Sequence, residues 1–205
     1  MRKLFIGVIA ALAVVLSASA NQTANTTPDA LVHDLYQTWL TAAKADRAKI
    51  TNDKKALYEL TSKVTEPYID FDRLARLVLG FHYRQASDAQ RKAFIEAFRT
   101  HLVLTYGTAM LNYLDAKFIF KPTNFRPGDR QVIVRTETVP SGGRAAFPVD
   151  YVLYREDSGW KAMDVIIDGI SVVTTLRNIV SSEVQTKTLD GVIREIQAKN
   201  RQALH

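Results

Sequence analysis

The chain has 205 residues, a formal charge of +6 at pH 7, four histidines and no cysteine. The lack of cysteine excludes disulfides, thiolate metal sites, thiol nucleophiles and the lipid-modified cysteine of a bacterial lipoprotein. The length allows one domain with a sizeable core, and the mild positive charge favours, without requiring, an anionic lipid surface or an acidic partner.

The first twenty residues are predicted to form a signal peptide. Arg2 and Lys3 precede an apolar run over residues 4–16, and a small-residue cleavage site of sequence Ala-Ser-Ala ends at Ala20. The apolar run is too short to span a membrane. We therefore expect cleavage after Ala20, export to the periplasm, and a single domain over residues 21–205.

The next part of the chain is predicted to be helical. A helix begins at Pro28, shows apolar residues at helical spacing, and runs to about residue 48. A second helix begins near Asn52 and ends before Pro67. Both helices have one apolar stripe, which is typical of helices that pack on one side against a core.

Two further helices carry capping signals. Asp70 is expected to cap a helix that Gly80 closes. The capping-box pattern of residues 87–90 opens the longest predicted helix, over residues 88–114. Gly107 interrupts good helix formers within it, which indicates a bend or a close approach to a neighbouring element.

After this helix the apolar period changes from helical to alternating, which indicates strands. Four strands joined by short connections predict an antiparallel meander, and two more helices follow it, to about residue 182 and over residues 189–199. The predicted fold is thus α+β, with one apolar face of a four-stranded antiparallel sheet covered by N- and C-terminal helices. The strands are predicted within residues 116–120, 131–138, 145–156 and 159–167.

The last predicted strand has a clear alternation. Met163, Val165 and Ile167 are expected on the apolar face of the sheet. Asp164 and Asp168 are expected on the opposite face, in contact with solvent. The sequence Gly-Ile-Ser that ends at Ser171 lacks the second glycine of a nucleophile elbow, so Ser171 is expected to cap the next helix.

Residues with catalytic chemistry are few. The histidines are His33, His82, His101 and His205, and no two of them have metal-ligand spacing. No phosphate loop, dinucleotide motif or basic-aromatic nucleic-acid pattern is present. What remains is a large apolar surface on the long helix and the sheet. Any one of its residues is more often part of a core than of a ligand-binding wall, and the residue pattern alone does not distinguish a filled core from a lined cavity.

Several stretches together resemble the MlaC family of periplasmic phospholipid-binding proteins, which includes the toluene-tolerance Ttg2 type. The order and spacing of these stretches, rather than any one of them, carry the resemblance. They are residues 68–80, 85–98, 149–153 and 159–161, Asp164, residues 169–171, and residues 190–191.

The resemblance implies a carrier that is not an enzyme and needs no cofactor or metal. It would be a monomer that holds a diacyl glycerophospholipid by its tails in an apolar pocket between sheet and helices, toward the upper end of about 300–1,000 Å³. The residues expected to line the pocket are Phe71, Leu74, Val78, Phe94, Phe98, Leu102, Tyr106, Met110, Phe118, Phe120, Val134, Tyr151, Leu153, Met163, Val165, Ile167, Ile170 and Val173.

The partners that the resemblance implies are an outer-membrane lipoprotein–porin complex and an inner-membrane ABC transporter that bears an MCE-domain protein. Moving lipid between them would maintain the lipid asymmetry of the outer membrane. Two alternatives stay open at this point. One is a small-molecule isomerase or hydratase of cone-shaped α+β fold that uses His101 or Asp150, and the other is a periplasmic adaptor or chaperone.

Overall fold

A computed structural model describes residues 26–205, and the predicted signal peptide lies outside the described residues. Helices come first, then the sheet, then one long helix. In chain order the elements are α1 (Pro28–Ala45), α2 (Arg47–Asn52), α3 (Lys54–Thr65), α4 (Phe71–Leu79), α5 (Phe81–Gln85), α6 (Asp88–Leu111), β1 (Lys117–Phe120), β2 (Gln131–Val139), β3 (Phe147–Glu156), β4 (Gly159–Ile167), β5 (Ile170–Ser171) and α7 (Val172–Leu204).

The predicted helix caps are confirmed. The carboxylate of Asp70 accepts a hydrogen bond from the backbone N–H of Arg73 at 2.9 Å. Ser87 and Gln90 form both hydrogen bonds of the capping box at the start of α6. Ser171 Oγ accepts from the backbone N–H of Thr174 at 3.0 Å, which makes Ser171 a capping residue, as expected.

The sheet confirms the α+β prediction and adds one short strand. The strand order is β1-β2-β3-β4-β5, and every neighbouring pair is antiparallel. The fifth strand, β5, has only two residues, too few for a periodic pattern in the sequence. The two predicted C-terminal helices join as α7, with a break at Thr188, whose φ of 63° is not helical.

Three groups of buried side chains form the core. The first lies among α4, α6 and α7 and includes Val78 and Phe94. The second lies between α1 and one half of the sheet and includes Val134, Leu153 and Trp160. The third joins α1, α2 and α3 to the end of α6. The residues of all three groups are buried. The half of the sheet that does not contact α1 through the second group is not covered by any of them.

Gly107 marks a close approach between α3 and α6, one of the two expectations drawn from the sequence. A Cβ atom at position 107 would lie 2.9 Å from Thr61 Oγ1. The same oxygen accepts a hydrogen bond from the buried indole Nε1 of Trp39 at 3.2 Å. Thr61 therefore ties α1 to α3 at the point where α6 passes closest.

The helices were also compared with the requirements of a membrane span. Among residues 26–205, no helix combines the length and apolarity that crossing a bilayer requires.

We expect Gly107→Ala to destabilise the fold by about 1 kcal/mol, since the clash with Thr61 outweighs the gain in helix propensity. Thermal and urea unfolding measure this change. In a Thr61→Ala background the clash is removed, so the same Gly107→Ala substitution should become neutral or stabilising. A destabilisation of equal size in both backgrounds would contradict the close approach.

Candidate functional site

A cavity of about 270 Å³ lies under the part of the sheet that the core groups leave uncovered. Its walls come from α1, α3, α4 and α6, from β1 to β4, and from the first turns of α7. Asp164 is the only carboxylic acid among its lining residues, and none of them is lysine, arginine or histidine. The volume is smaller than the sequence-based expectation, which was the upper end of about 300–1,000 Å³.

The middle of the sheet shows why this space is a cavity and not a core. Tyr151 lies on β3, between β2 and β4, where side chains of a filled core are fully buried. Yet Tyr151 and its neighbour Val165 keep an intermediate exposure, while Val134, the register partner of Tyr151 on β2, is 0% exposed. The two halves of the same apolar face thus have different surroundings.

Many of the residues that the sequence analysis proposed for a pocket do surround this cavity. They come from six elements, namely α4, α6, β1, β3, β4 and α7, which the fold brings together. The predicted residues that line the cavity are Phe71, Leu74, Phe98, Leu102, Tyr106, Met110, Phe118, Tyr151, Val165, Ile167 and Val173.

The other predicted residues lie elsewhere, each for a packing reason. Val78 and Phe94 belong to the core among α4, α6 and α7. Val134 and Leu153 are buried under α1, and Phe120 packs against the same group. Alternation correctly placed these sheet residues on the apolar face, but α1 fills the space in front of them.

Met163 and Ile170 are also absent from the lining. Ile170 is 64% exposed on the short strand β5. Met163 is the extra residue of a β-bulge, because Leu153 pairs with Ala162 while Val152 pairs with Asp164. The bulge shifts the alternation by one residue, so Ala162 lines the cavity instead of Met163.

The expectation that Asp164 contacts solvent is wrong, because Asp164 lines the cavity beside the start of α7. Its Oδ1 accepts hydrogen bonds from the backbone N–H groups of Val165 at 2.8 Å and Val173 at 3.0 Å. Its Oδ2 accepts from Ser171 Oγ at 2.5 Å. A carboxylate at the N-terminus of α7 is also favoured by the helix dipole.

These hydrogen bonds fix the wall that α7 contributes. They hold the end of β4 against the first turn of α7, where Val172, Val173 and Leu176 face the cavity. Since the oxygens of Asp164 are engaged by donors of the protein itself, this carboxylate acts as a structural anchor of the wall.

The sequence analysis missed the contribution of α1 and part of the sheet edge. The apolar stripe of α1 and the alternation of Phe147 and Val149 with Tyr151 were visible signals, but neither distinguishes a cavity wall from a core face. The cavity-lining residues that were not proposed are Val32, Leu35, Tyr36, Trp39, Thr61, Thr65, Ile69, Val103, Gly107, Ala109, Tyr113, Thr138, Phe147, Val149, Ala162, Asp164, Val172 and Leu176.

The candidate residues for acid–base chemistry lie away from the cavity. Neither His101 nor Asp150 belongs to its lining. Burial lowers the pKa of His101, so its imidazole is neutral at pH 7. In the described part of the chain, no group of three or more histidine, aspartate or glutamate side chains is placed to hold a metal ion.

Comparison with known proteins gives a family match over most of the chain. The family model described as MlaC protein matches residues 33–198. The toluene tolerance protein ttg2D of Pseudomonas putida is 28% identical over 184 residues, which cover 86% of this chain and 84% of that protein.

A second relative and a solved structure agree with this match. The intermembrane phospholipid transport system binding protein MlaC of Haemophilus influenzae is 24% identical over 185 residues, covering 88% of this chain and 86% of that protein. The structure of a phospholipid-binding protein from Ralstonia solanacearum, in complex with a phospholipid, superposes with a TM-score of 0.78. It is 22% identical and covers 88% of this chain and 100% of its own, which establishes a shared fold.

We expect Asp164→Asn to destabilise the protein by about 1–2 kcal/mol, since it removes a charge and one of the acceptor oxygens at the start of α7. Asp168→Asn is the matched control, because Asp168 is exposed and its φ of 51° is one that asparagine tolerates. Its effect should stay within about 0.5 kcal/mol. Urea unfolding of both variants measures the difference, and equal effects would contradict the anchoring role of Asp164.

Proposed function

Because this chain belongs to the MlaC family, as its match over residues 33–198 establishes, we propose that it is a periplasmic carrier of glycerophospholipid. In this proposal residues 1–20 are removed on export, and the mature domain of residues 21–205 holds the acyl tails in the cavity under the sheet. The observation that carries the proposal is an interior cavity with apolar walls whose one charged side chain is engaged by the protein itself.

The energetics of lipid transfer explain why such a cavity is needed. A methylene group removed from water contributes about 0.8 kcal/mol, so two tails of roughly fifteen methylenes resist leaving a bilayer by on the order of 20 kcal/mol. Free lipid therefore does not cross an aqueous compartment at a useful rate. A carrier that offers the tails an equivalent apolar surface removes most of this barrier, and its affinity depends little on the head group.

The small volume of the cavity suggests that its walls move when a lipid enters. Leu102, Tyr106 and Met110 on α6 keep an intermediate exposure inside the cavity, so their side chains have room to change rotamer. Methionine in particular adapts to different shapes at low cost. We expect uptake of a diacyl lipid to widen the cavity by such changes, without any ATP or cofactor bound to this chain.

The route of the lipid follows from the family. We propose that the protein exchanges phospholipid with an outer-membrane lipoprotein–porin complex and with an inner-membrane ABC transporter bearing an MCE-domain protein, and so maintains the lipid asymmetry of the outer membrane. Each partner would release the lipid by binding a conformation with an opened cavity more tightly than the closed one.

The alternatives receive less support from the arrangement of the residues. An isomerase or hydratase would need an acid or base that faces its substrate, and neither His101 nor Asp150 lines the cavity. A chaperone would need a continuous exposed apolar surface. The large exposed apolar side chains among residues 26–205, namely Phe81, Ile119, Ile170 and Ile179, belong to four different elements.

The carrier proposal is tested on protein purified from the periplasm of the producing cell. Lipid extraction and native mass spectrometry should detect bound glycerophospholipid, and delipidated protein should take up phospholipid from vesicles. The proposal is refuted if the purified protein contains no lipid and takes up none from vesicles. Turnover of a small molecule, or co-purification of polypeptide in place of lipid, would favour one of the alternatives.

We expect Val165→Asp to reduce phospholipid uptake at least tenfold, because it places an unpaired charge among the tails. Met163→Asp is the matched control, since Met163 lies two residues away on the same strand but outside the cavity. Uptake by the control should stay close to that of the unchanged protein, with circular dichroism confirming that both variants fold. Equal uptake by the two variants would show that the tails do not occupy this cavity.

A further inference from the structure

Four tyrosines contribute hydroxyl groups to the wall of a largely apolar cavity. Tyr36 on α1, Tyr106 on α6, Tyr113 just after α6, and Tyr151 on β3 all line it. Within the described part of the chain, none of these four hydroxyls has a hydrogen-bond partner. Phenylalanine would fill the same space, so the hydroxyls call for an explanation that packing does not supply.

Two of the four tyrosines outside the cavity, Tyr68 and Tyr154, have a hydroxyl that is bonded to a carboxylate. The hydroxyl of Tyr68 donates to Asp34 Oδ2 at 2.6 Å, and that of Tyr154 donates to Asp70 Oδ2 at 2.6 Å. Tyrosine hydroxyls in buried positions normally find such a partner. The cavity tyrosines form no such bond within residues 26–205, so their hydroxyls are available to an acceptor that arrives with the ligand.

Two of the cavity tyrosines come from α1 and from the middle of the sheet. Tyr36 is only 8% exposed, and its ring centroid lies 3.9 Å from that of Phe118. Tyr151 projects from the middle of the sheet toward α1, beside its register partners Val134 and Val165. Burial raises the pKa of each hydroxyl to about 12, and for Tyr151 the neighbouring Tyr36 adds to the rise. The two groups are thus neutral donors that line the same cavity.

The chemistry of the lipid limits what these donors can bind. Its phosphate and head group are charged and strongly hydrated, so they favour the solvent side of the cavity. Its tails offer no acceptor. The ester carbonyl oxygens are neutral acceptors located where the tails join the glycerol, and a neutral phenol hydroxyl is a suitable donor to them.

We propose that the hydroxyls of Tyr36 and Tyr151 donate hydrogen bonds to the ester carbonyl oxygens of the bound glycerophospholipid. This inference rests on the proposed carrier function and adds a determinant of specificity to it. The protein then selects ester-linked over ether-linked lipids regardless of head group. It also holds the glycerol at a fixed depth, with the tails directed to the apolar remainder of the cavity.

Tyr106 is less suited to this role. Its pKa is raised by burial and also by the charge of Asp164. A carbonyl oxygen bound to Tyr106 would approach that carboxylate, and two acceptor oxygens repel each other. The carbonyl site is therefore assigned to Tyr36 and Tyr151, which line the same cavity and whose raised pKa values owe nothing to Asp164.

The test compares two ligands that differ only in the carbonyl groups. Delipidated protein is loaded with a fluorescent phospholipid, which is then displaced by dioctanoyl phosphatidylglycerol or by its dioctyl ether analogue. The unchanged protein should bind the ester about tenfold more tightly, as expected for hydrogen bonds between neutral groups. Tyr36→Phe and Tyr151→Phe should each lower this preference to about threefold, and the double variant should abolish it.

Tyr58→Phe is the matched control, because Tyr58 lies on α3 outside the cavity lining and should leave the preference unchanged. Each variant keeps its aromatic ring, and thermal unfolding checks that it folds. Equal binding of ester and ether by the unchanged protein would overturn this proposal and leave the carrier function intact, whereas binding of neither ligand would refute both. Loss of the preference in Tyr106→Phe alone would also overturn the assignment.

Discussion

The hydrogen bonds that Asp164 makes at the end of β4 are the constraint on which the cavity depends. They join β4 to the first turn of α7 through Val173 and Ser171. They therefore hold the start of α7 at the wall of the cavity under the sheet. Without this anchor the apolar half of the sheet would face water or collapse onto its own helices. A polar side chain thus maintains an apolar space, because donors of the protein form hydrogen bonds with both of its carboxylate oxygens.

The two halves of the apolar face of the sheet have different surroundings and different roles. Near Trp160 it is covered by α1, and its side chains are buried. Near Val165 it faces empty space, which costs stability because the lining side chains lose dispersion contacts and stay partly unburied. In the proposed carrier that unburied surface is what attracts the acyl tails, as the hydrophobic effect depends on area and has no direction. Orientation of the lipid must then come from the few polar groups, such as Tyr36 and Tyr151.

Much of the architecture could be predicted from local patterns. Capping residues placed the starts of α4, α6 and α7 correctly, since a cap acts over three or four neighbouring residues. Alternation located the four long strands and their apolar face. The resemblance of spaced motifs identified the family. Pocket residues were predicted less well: Tyr151 and Val134 are register partners on one face, yet only Tyr151 lines the cavity.

The sequence by itself determined which residues are apolar, which elements they form and which face of each element they share. The tertiary structure alone decided what lies in front of that face, because the position of α1 depends on contacts between residues far apart in the chain. It also decided where Met163 and Asp164 lie relative to the cavity. A bulge in β4 takes Met163 out of the alternation, and hydrogen bonds to Ser171 and Val173 hold Asp164 at the cavity wall. Both outcomes depend on contacts with other elements, which no pattern within β4 reveals.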